Sequence, residues 1–252
     1  MLKLTDDQWK RIRHHFPEER KGRRRGRPPV PARRVFEAVL WILKTGAQWH
    51  MMPQCHPNYK TVHRRFRKWC RAGVLENALT DLAGELRDSR GIDGSEAFID
   101  ASCARAKGGG PEVGMTKSGK GVKITAIADR SGPPLSVSVH AANHHETKLA
   151  QLSLDLCLCE KPANLIGDKA YDSDPLDAKL RGQGVEMIAP HRRNRKRPKT
   201  QDGRRLRRYK RRWIVERFVA WLQWSRRVLV RWEYHMENFL GFVQAAALCM
   251  LL

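Results

Sequence analysis

The sequence predicts an α/β protein in which an all-α, helix-turn-helix-like region precedes a mixed sheet flanked by helices. Three observations carry this prediction. Apolar residues recur at helical spacing over residues 4–88, short apolar runs typical of strands alternate with helical segments from Glu96 onward, and an amphipathic helix follows the most basic segment. We therefore predict a helical domain over residues 1–90 and an α/β domain over residues 95–252.

The N-terminal domain contains three predicted helices. Thr5 is a suitable cap for the first, and the second carries an apolar face between residues 35 and 43 and ends at Gly46. The third places one apolar stripe beside a basic face, whose exposed members are predicted to be Lys60, His63, Arg64 and Arg67. Two helices joined by a turn, the second with a basic outer face, indicate a helix-turn-helix that enters a DNA major groove. A small helical bundle with solvated basic residues is the alternative.

The second domain alternates strands and helices. Its predicted strands are residues 97–102, 122–128, 135–140, 163–167 and 185–189, and its predicted helices are residues 146–158, 175–181 and 206–230. The order is three strands, helix, strand, helix, strand, helix. That order is typical of a ribonuclease H-like fold.

The charge balance points to a polyanionic partner. The 252 residues include 49 Lys and Arg against 26 Asp and Glu, a formal net charge of +23. A protein this basic usually meets nucleic acid, and a ribosomal-type or membrane-surface protein is the alternative. The N-terminus has no secretory h-region, and the apolar C-terminal run from Phe239 is shorter than a membrane span. Six cysteines without CxxC spacing are expected to be reduced thiols, in a cytoplasmic protein.

Two aspartates lie within or directly after predicted strands, at positions where a carboxylate has functional significance. Asp100 lies inside the first predicted strand, where burial is unfavourable unless a positive group binds it. Asp168 follows the fourth predicted strand, at the end where α/β sheets usually carry functional groups. Each aspartate taken alone could equally be a turn former or a strand-end cap.

A third carboxylate lies on a narrow polar stripe of the last predicted helix. Tyr209, Arg212, Glu216 and Gln223 fall within roughly 60° of one another on a helical wheel, and apolar residues cover the opposite side. An ion pair between Arg212 and Glu216 is the alternative explanation, although Arg before Glu is the poorer orientation and worth only about 0.2–0.5 kcal/mol.

Three carboxylates on a strand, a strand end and a later helix can converge on divalent cations. Mg²⁺ prefers a few carboxylates together with water and phosphate oxygens. Two such ions about 3.5–4 Å apart stabilise the attacking and leaving oxygens of an in-line phosphodiester displacement. Asp100, Asp168 and Glu216 are therefore the candidate catalytic and metal-binding residues, for two Mg²⁺ ions with Mn²⁺ as a substitute.

The same residues carry a family resemblance. The segments Phe98–Ser102, Gly167–Ser173 and Tyr209-x2-Arg212-x3-Glu216-x6-Gln223 resemble the three signature regions of DDE transposases, most closely the bacterial insertion-sequence five family within the insertion-sequence four superfamily. The resemblance implies a ribonuclease H-like catalytic domain with Tyr209 and Arg212 at DNA phosphate near the cleavage site. The chain departs from the family at Gln223, where a Lys is frequent. Gln223 is nevertheless predicted to contact DNA, since an amide can hydrogen-bond a phosphate or a base although it brings no charge.

Further DNA contacts are predicted from basic segments. Residues 192–212 carry 13 basic residues and one acid, and within and near them Lys169, Arg193, Arg195 and Lys196 are predicted DNA contacts. A solvated loop that orders only on binding is also compatible with this composition. Arg25-Gly-Arg27-Pro resembles the core of an AT-hook, which places arginines in a narrow minor groove; a plain basic linker is the alternative.

These predictions combine into one functional hypothesis. The protein is expected to be a transposase that binds the terminal inverted repeats of an insertion sequence and catalyses Mg-dependent strand cleavage and strand transfer. Its partners are expected to be double-stranded DNA, both element ends and target, and a second copy of itself, as a homodimer or larger assembly. A non-catalytic DNA-binding regulator, a nuclease that cannot join strands and a basic RNA-binding protein remain alternatives.

Overall fold

The computed structural model describes residues 3–19, 28–90, 94–201 and 203–252. Arg25 and Arg27, the predicted AT-hook arginines, lie outside these residues. The chain forms two compact units. The first comprises Met1–Leu82, Lys107–Pro111 and Leu222–Leu252, and the second comprises Ala83–Ala106 and Glu112–Trp221.

The described residues form helices and strands in mixed order. The helices are α1 Asp6–Ile12, α2 Ala32–Thr45, α3 Tyr59–Arg71, α4 Val74–Arg90, α5 Glu146–Asp155, α6 Asp174–Arg181, α7 Gly203–Leu206, α8 Trp213–Gln223, α9 Arg226–Leu229 and α10 Met236–Leu251. The strands are β1 Glu96–Ala106, β2 Gly114–Thr116, β3 Gly119–Asp129, β4 Pro134–Ala141, β5 Asn164–Ile166, β6 Glu186–Ile188 and β7 Val230–Arg231.

Local capping explains where the N-terminal helices begin and end. Thr5 and Gln8 form a reciprocal capping box at the start of α1. Gly46 ends α2 with a positive φ of 68°, a conformation that glycine adopts without a side-chain clash. The Asn58 side chain accepts the backbone N–H of Lys60 and so begins α3. The three helices predicted from the sequence are confirmed.

The core of the first unit is aromatic. Phe16 lies edge-on to Trp69 with ring centroids 4.8 Å apart, and Phe66 packs on Phe242 at 4.5 Å. Phe242 belongs to α10, which packs against α2 and α3. The C-terminal helix is therefore buried, as expected, but its partners are the N-terminal helices. The predicted division at residues 90–95 assigned it to the α/β domain, and the structure differs because the apolar faces of α2 and α3 need this third helix to cover them.

The sheet of the second unit has a mixed topology. β3 pairs antiparallel with β1 on one side and with β4 on the other, and the short β2 also pairs with β3. β1 and β5 are parallel, as are β5 and β6. The resulting order β4-β3-β1-β5-β6 joins an antiparallel half to a parallel half. The ribonuclease H-like prediction is confirmed, and β2 is an additional short strand between the first two predicted strands.

The long helix predicted over residues 206–230 is wrong. The segment is broken into α7, a 3-10 turn over Arg207–Arg211, α8 and α9. In the turn, Arg208 and Arg211 both bind the carboxylate of Glu96. Residues three apart are eclipsed in a 3-10 helix. Both arginines therefore leave the turn on the same side and reach one buried acid.

Two further properties of the described residues concern membrane-spanning helices and disulfide bonds. No helix within them combines the length and apolarity needed to cross a bilayer. Each of the six cysteines is a free thiol.

Candidate active site

Asp100 lies in the middle of β1, where it pairs in register with Ala126 of β3. Its carboxylate is largely buried and accepts a hydrogen bond from Nη1 of Arg212 at 3.2 Å. Burial raises the pKa of the Asp100 carboxyl, and the charges of Asp168 and Glu216 raise it further, while Arg212 and the Ala101 backbone N–H act in the opposite direction. Asp100 is thus an acid whose charge needs a cation beside it.

Asp168 follows β5 at the edge of the sheet where β1 carries Asp100. Phe98 pairs with Ile166 in the parallel register, so Asp100 and Asp168 each lie two residues beyond the same pair. The Asp168 carboxylate accepts the backbone N–H of Ala170 at 2.8 Å and caps a 3-10 turn over Lys169–Tyr171. The strand pairing and this cap together orient the carboxylate.

Gly167 leaves space for the ring that supports this turn. A Cβ at Gly167 would lie 2.6 Å from Cδ2 of Tyr171 and 2.7 Å from Cε of Met187. Tyr171 is buried, and its pKa is raised well above the ordinary value by burial and by the charges of Asp100 and Asp168. The phenol therefore stays protonated, buried within electrostatic range of the two aspartates.

Glu216 lies in the first turn of α8 and is about half exposed. Its carboxylate accepts a hydrogen bond from Nη2 of Arg212. The Arg212–Glu216 ion pair that the sequence left as an alternative is present, but Arg212 also bonds Asp100. Although burial lowers the pKa of Arg212, the charges of Asp100 and Glu216 raise it above its ordinary value. The guanidinium therefore links two of the three candidate carboxylates.

Tyr209 completes this arrangement although it is not in α8. It lies in the 3-10 turn, and its ring centroid is 5.6 Å from the Arg212 guanidinium carbon, within range of a cation–π contact. Gln223 is the last residue of α8, two helical turns beyond Glu216. The predicted stripe is thus continuous from Glu216 to Gln223, whereas Tyr209 joins it from a different type of turn.

The carboxylates can be tested for their fit to divalent cations. Among the described residues, oxygens from Asp100, Asp168 and Glu216 do not all come within 4.8 Å of one another. They do interact electrostatically, since Asp168 and Glu216 both raise the pKa of Asp100. Hard carboxylate oxygens are the ligands that Mg²⁺ and Mn²⁺ prefer. The donor set therefore suits such ions, with Arg212 now supplying the positive charge between Asp100 and Glu216.

A second aspartate of the Gly167–Ser173 segment anchors the basic region. Asp172 accepts hydrogen bonds from Nδ1 of His191 at 3.0 Å, from the backbone N–H of Arg192 at 2.8 Å and from Nη1 of Arg195 at 2.8 Å. Arg195 also binds Asp174 at 2.5 Å. Arg195, predicted to contact DNA, is therefore largely buried in internal ion pairs, whereas Lys169, Arg193 and Lys196 are exposed.

The predicted recognition residues of the first unit lie around one groove. Lys60, His63, Arg64 and Arg67 line a cavity of about 450 Å³ on α3, together with Trp49, Tyr59, Lys68 and Arg71. The Trp49 ring lies 4.8 Å from that of His63, and burial lowers the pKa of this histidine, as do the charges of Arg67 and Arg227. The groove is thus lined by aromatic and cationic side chains.

Sequence reasoning missed three features of this chain. The first two are Glu96, which binds Arg208 and Arg211, and Asp172, which binds the start of the basic segment. Neither acid stands out from its neighbours in the sequence. The third is a row of exposed side chains on α8. Arg217 makes cation–π contacts there, 4.8 Å from the Trp213 ring and 5.0 Å from the Trp221 ring. Its spacing of four residues is visible in the sequence.

Comparison with known proteins gives matches over nearly the whole chain. Residues 4–79 match the family described as "Putative transposase of IS4/5 family", and residues 92–251 match the family "Transposase DDE domain". The "Putative transposase for insertion sequence element IS402" of Burkholderia cepacia is 31% identical over 184 residues, which cover 68% of this chain and 82% of that protein. An "Insertion element IS402 uncharacterized 16.2 kDa protein" of the same species is 35% identical over 118 residues, covering 45% and 80%.

The fold also resembles a solved transposase. The piggyBac transposase, in a synaptic complex with hairpin DNA, has a TM-score of 0.54 at 12% identity, covering 98% of this chain and 71% of that one. At this identity the likeness concerns the fold alone, and it agrees with the ribonuclease H-like sheet of the second unit. Because the two family models together match residues 4–79 and 92–251 and the IS402 transposase is 31% identical over 82% of its own length, this chain belongs to the DDE transposases of the IS4/IS5 type, enzymes that transfer DNA strands.

Proposed function

We propose that this transposase binds the terminal inverted repeats of an insertion sequence and catalyses Mg-dependent DNA cleavage and strand transfer. Asp100, Asp168 and Glu216 are the proposed catalytic carboxylates. The observation that carries the proposal is the network in which Arg212 bonds Asp100 and Glu216 while Asp168 raises the pKa of Asp100. Three acids distant along the chain are thus coupled electrostatically, as a shared cation-binding site requires.

The same carboxylates are proposed to hold the divalent ions that DDE transposase domains generally use. Two Mg²⁺ ions, or Mn²⁺ in their place, would supply charge stabilisation for the attacking and leaving oxygens of the phosphodiester. Asp168 is oriented for this role by its cap on Ala170, and Asp100 by its strand. Glu216 is more exposed and faces the site from the first turn of α8.

Arg212 and Tyr209 are proposed to position the DNA strand at these acids. A guanidinium presents planar N–H donors that match phosphate oxygens. Arg212 already has two carboxylate partners, so phosphate binding requires it to exchange one of them. The Tyr209 ring, which lies against the guanidinium, limits the directions that Arg212 can take.

The reaction proposed for this site has two steps. Water first attacks a phosphodiester at the element end, forming a new P–O bond and releasing a 3′-hydroxyl. That hydroxyl then attacks a phosphodiester of the target, and the 3′ oxygen of the cut target strand leaves. Pairing of two element ends calls for at least a dimer in the active complex.

DNA recognition is assigned to the α3 groove of the first unit. Lys60, His63, Arg64 and Arg67 lie on one side of a helix whose other side is packed in the aromatic core. This arrangement suits entry into a major groove, with cations at the flanking phosphates. In the second unit, the exposed Lys169, Arg193 and Lys196 are proposed to bind phosphates, and Arg195 is proposed to position the loop that carries them.

Salt dependence tests the α3 assignment. Arg64→Ala and Arg67→Ala are each expected to weaken DNA binding and to make the slope of log K against log salt shallower by about 0.9 per lost phosphate contact. Fluorescence anisotropy with a labelled duplex over a salt series measures both effects. Lys10→Ala, which removes an exposed lysine of α1 paired with Asp7, is the matched control and should leave the slope unchanged.

A strand-transfer assay tests the function itself. DNA that co-purifies with the protein from cells carrying the element is sequenced to identify the element end, which is then supplied with a supercoiled target and Mg²⁺. Joined products are expected, and chelation should prevent them. Cleaved ends without joined products would instead indicate a nuclease, and specific binding without cleavage in Mg²⁺ or Mn²⁺ would indicate a regulator; either result contradicts the proposal.

A further inference from the structure

Two histidines and an aspartate of the first unit converge on one point outside the α3 groove. His14 and His15 lie in a 3-10 turn directly after α1, and Asp81 lies on α4. Nε2 of His14 is 3.2 Å from Oδ2 of Asp81, and Nε2 of His15 is 3.0 Å from the same oxygen. The two nitrogens and this carboxylate all lie within 4.8 Å of one another.

The spacing of these atoms matches a tetrahedral metal site. Zinc–nitrogen and zinc–carboxylate bonds are about 2.0–2.2 Å long, so two ligands on one tetrahedral ion stand about 3.3–3.5 Å apart. The two Nε2···Oδ2 distances of 3.2 and 3.0 Å are close to this separation. A hydrogen bond explains the His14 contact, whereas Nε2 of the largely buried His15 approaches the same oxygen without hydrogen-bond geometry. The convergence of the same nitrogen of both rings on one oxygen is the arrangement that a shared cation favours.

The ligand chemistry and accessibility of the cluster also suit a metal. Two imidazoles and one carboxylate form a donor set that favours zinc and neighbouring transition metals, unlike the all-carboxylate set of the candidate active site. His14 and Asp81 are 57% and 53% exposed, while the His15 side chain is 10% exposed. An ion can therefore enter from solvent, and the packing around His15 holds one ligand in place.

We propose that His14, His15 and Asp81 bind one divalent transition-metal ion, of the class of Zn²⁺ or Co²⁺, with water in the fourth position. The ion joins the turn after α1 to α4 within the same compact unit. Because α1 and its turn contribute Trp9, Ile12 and Phe16 to the core of this unit, the metal stabilises the helical region that carries α3. This inference does not depend on the catalytic proposal.

Metal titration of the full-length, untagged protein tests the site. The chelated and dialysed protein is titrated with Co²⁺ in excess Mg²⁺, which occupies the carboxylate-only site, and with Zn²⁺ by calorimetry. One ion is expected to bind, with the d–d absorption of a tetrahedral Co²⁺ centre and a higher Tm with Zn²⁺. His14→Ala and Asp81→Asn are each expected to weaken metal binding and to raise the Kd by at least about 100-fold.

Matched variants distinguish binding at this cluster from binding elsewhere on the chain. His14 and Asp81 are exposed, so their substitution should leave the metal-free Tm and circular dichroism unchanged. His50→Ala removes another exposed histidine of the same unit, and Asp100→Asn alters the candidate active site; both should retain the Co²⁺ spectrum. The proposal is overturned if the wild-type protein binds no ion at micromolar concentration, or if binding persists in the His14→Ala/Asp81→Asn double variant.

Discussion

Asp100→Asn is expected to reduce DNA cleavage by at least about 10³-fold, since the loss of one ligand to catalytic ions removes several kcal/mol of transition-state stabilisation. Asn has nearly the same shape, so the strand and its register should persist. It also lacks the charge that burial disfavours at this position, and we expect little change in Tm. Asp168→Asn and Glu216→Gln should show losses of similar size. Cleavage of a labelled element end in Mg²⁺ measures the effect.

The control for this series is Asp155→Asn. Asp155 lies on α5 in the same unit, is half exposed and pairs with Lys161 at 2.8 Å, so its substitution should leave cleavage within about twofold of the wild type. DNA binding by the Asp100, Asp168 and Glu216 variants should remain, because cations of the α3 groove and the basic segment supply the affinity. Cleavage that survives Asp100→Asn, in a variant that binds DNA normally, would refute the assignment of the site.

Gly110→Ala is expected to destabilise the first unit by about 4 kcal/mol or more, the sum of a strained backbone and a steric overlap. Gly110 has a φ of +93°, and an added Cβ would overlap the carbonyl oxygen of Tyr234 and lie 2.9 Å from its carbon. A backbone carbonyl cannot move aside as a flexible side chain can. The Tm should fall by about 8 °C or more, as measured by differential scanning calorimetry.

Two other glycines with positive φ, Gly109 of the first unit and Gly119 of the second, separate the overlap from the backbone strain. Gly109 has a φ of +66° and Gly119 a φ of +101°, and no atom lies within 4 Å of a Cβ added at either position. Gly109→Ala and Gly119→Ala therefore carry only the cost of a positive φ, about 1–3 kcal/mol. If Gly110→Ala were no more destabilising than these two variants, the close approach of the Tyr234 carbonyl would not be present in solution.

Local patterns account for the parts of the fold that were predicted correctly. These parts depend on residues close together in the chain. They are the apolar faces of α2 and α3, the caps at Thr5 and Gly46 and the short apolar strands. The segment after residue 203 could not be predicted in this way. Its 3-10 turn depends on Glu96, more than a hundred residues away, which binds Arg208 and Arg211.

The candidate site shows the same distinction. Asp100, Asp168 and Glu216 were chosen from their strand and helix positions together with a family resemblance, and their roles remain predictions. That Arg212 bonds Asp100 as well as Glu216 was not predictable from the helical wheel, which describes only neighbours on one helix. Arg195 was predicted to be a DNA contact from its charge, but its ion pairs with Asp172 and Asp174 depend on how the loop folds back.

By itself, the sequence determined most of the helical and strand segments before residue 203, their ribonuclease H-like order and the basic character of a DNA-transferring enzyme, because periodicity and charge are local properties of the chain. Only the tertiary structure decided which distant groups meet. It joined His14 and His15 to Asp81, placed α10 on α2 and α3, and used Asp172 to anchor the basic segment. The physical reason is that such partners are selected by packing and by the need to neutralise buried charge, and neither can be read from spacing along the chain.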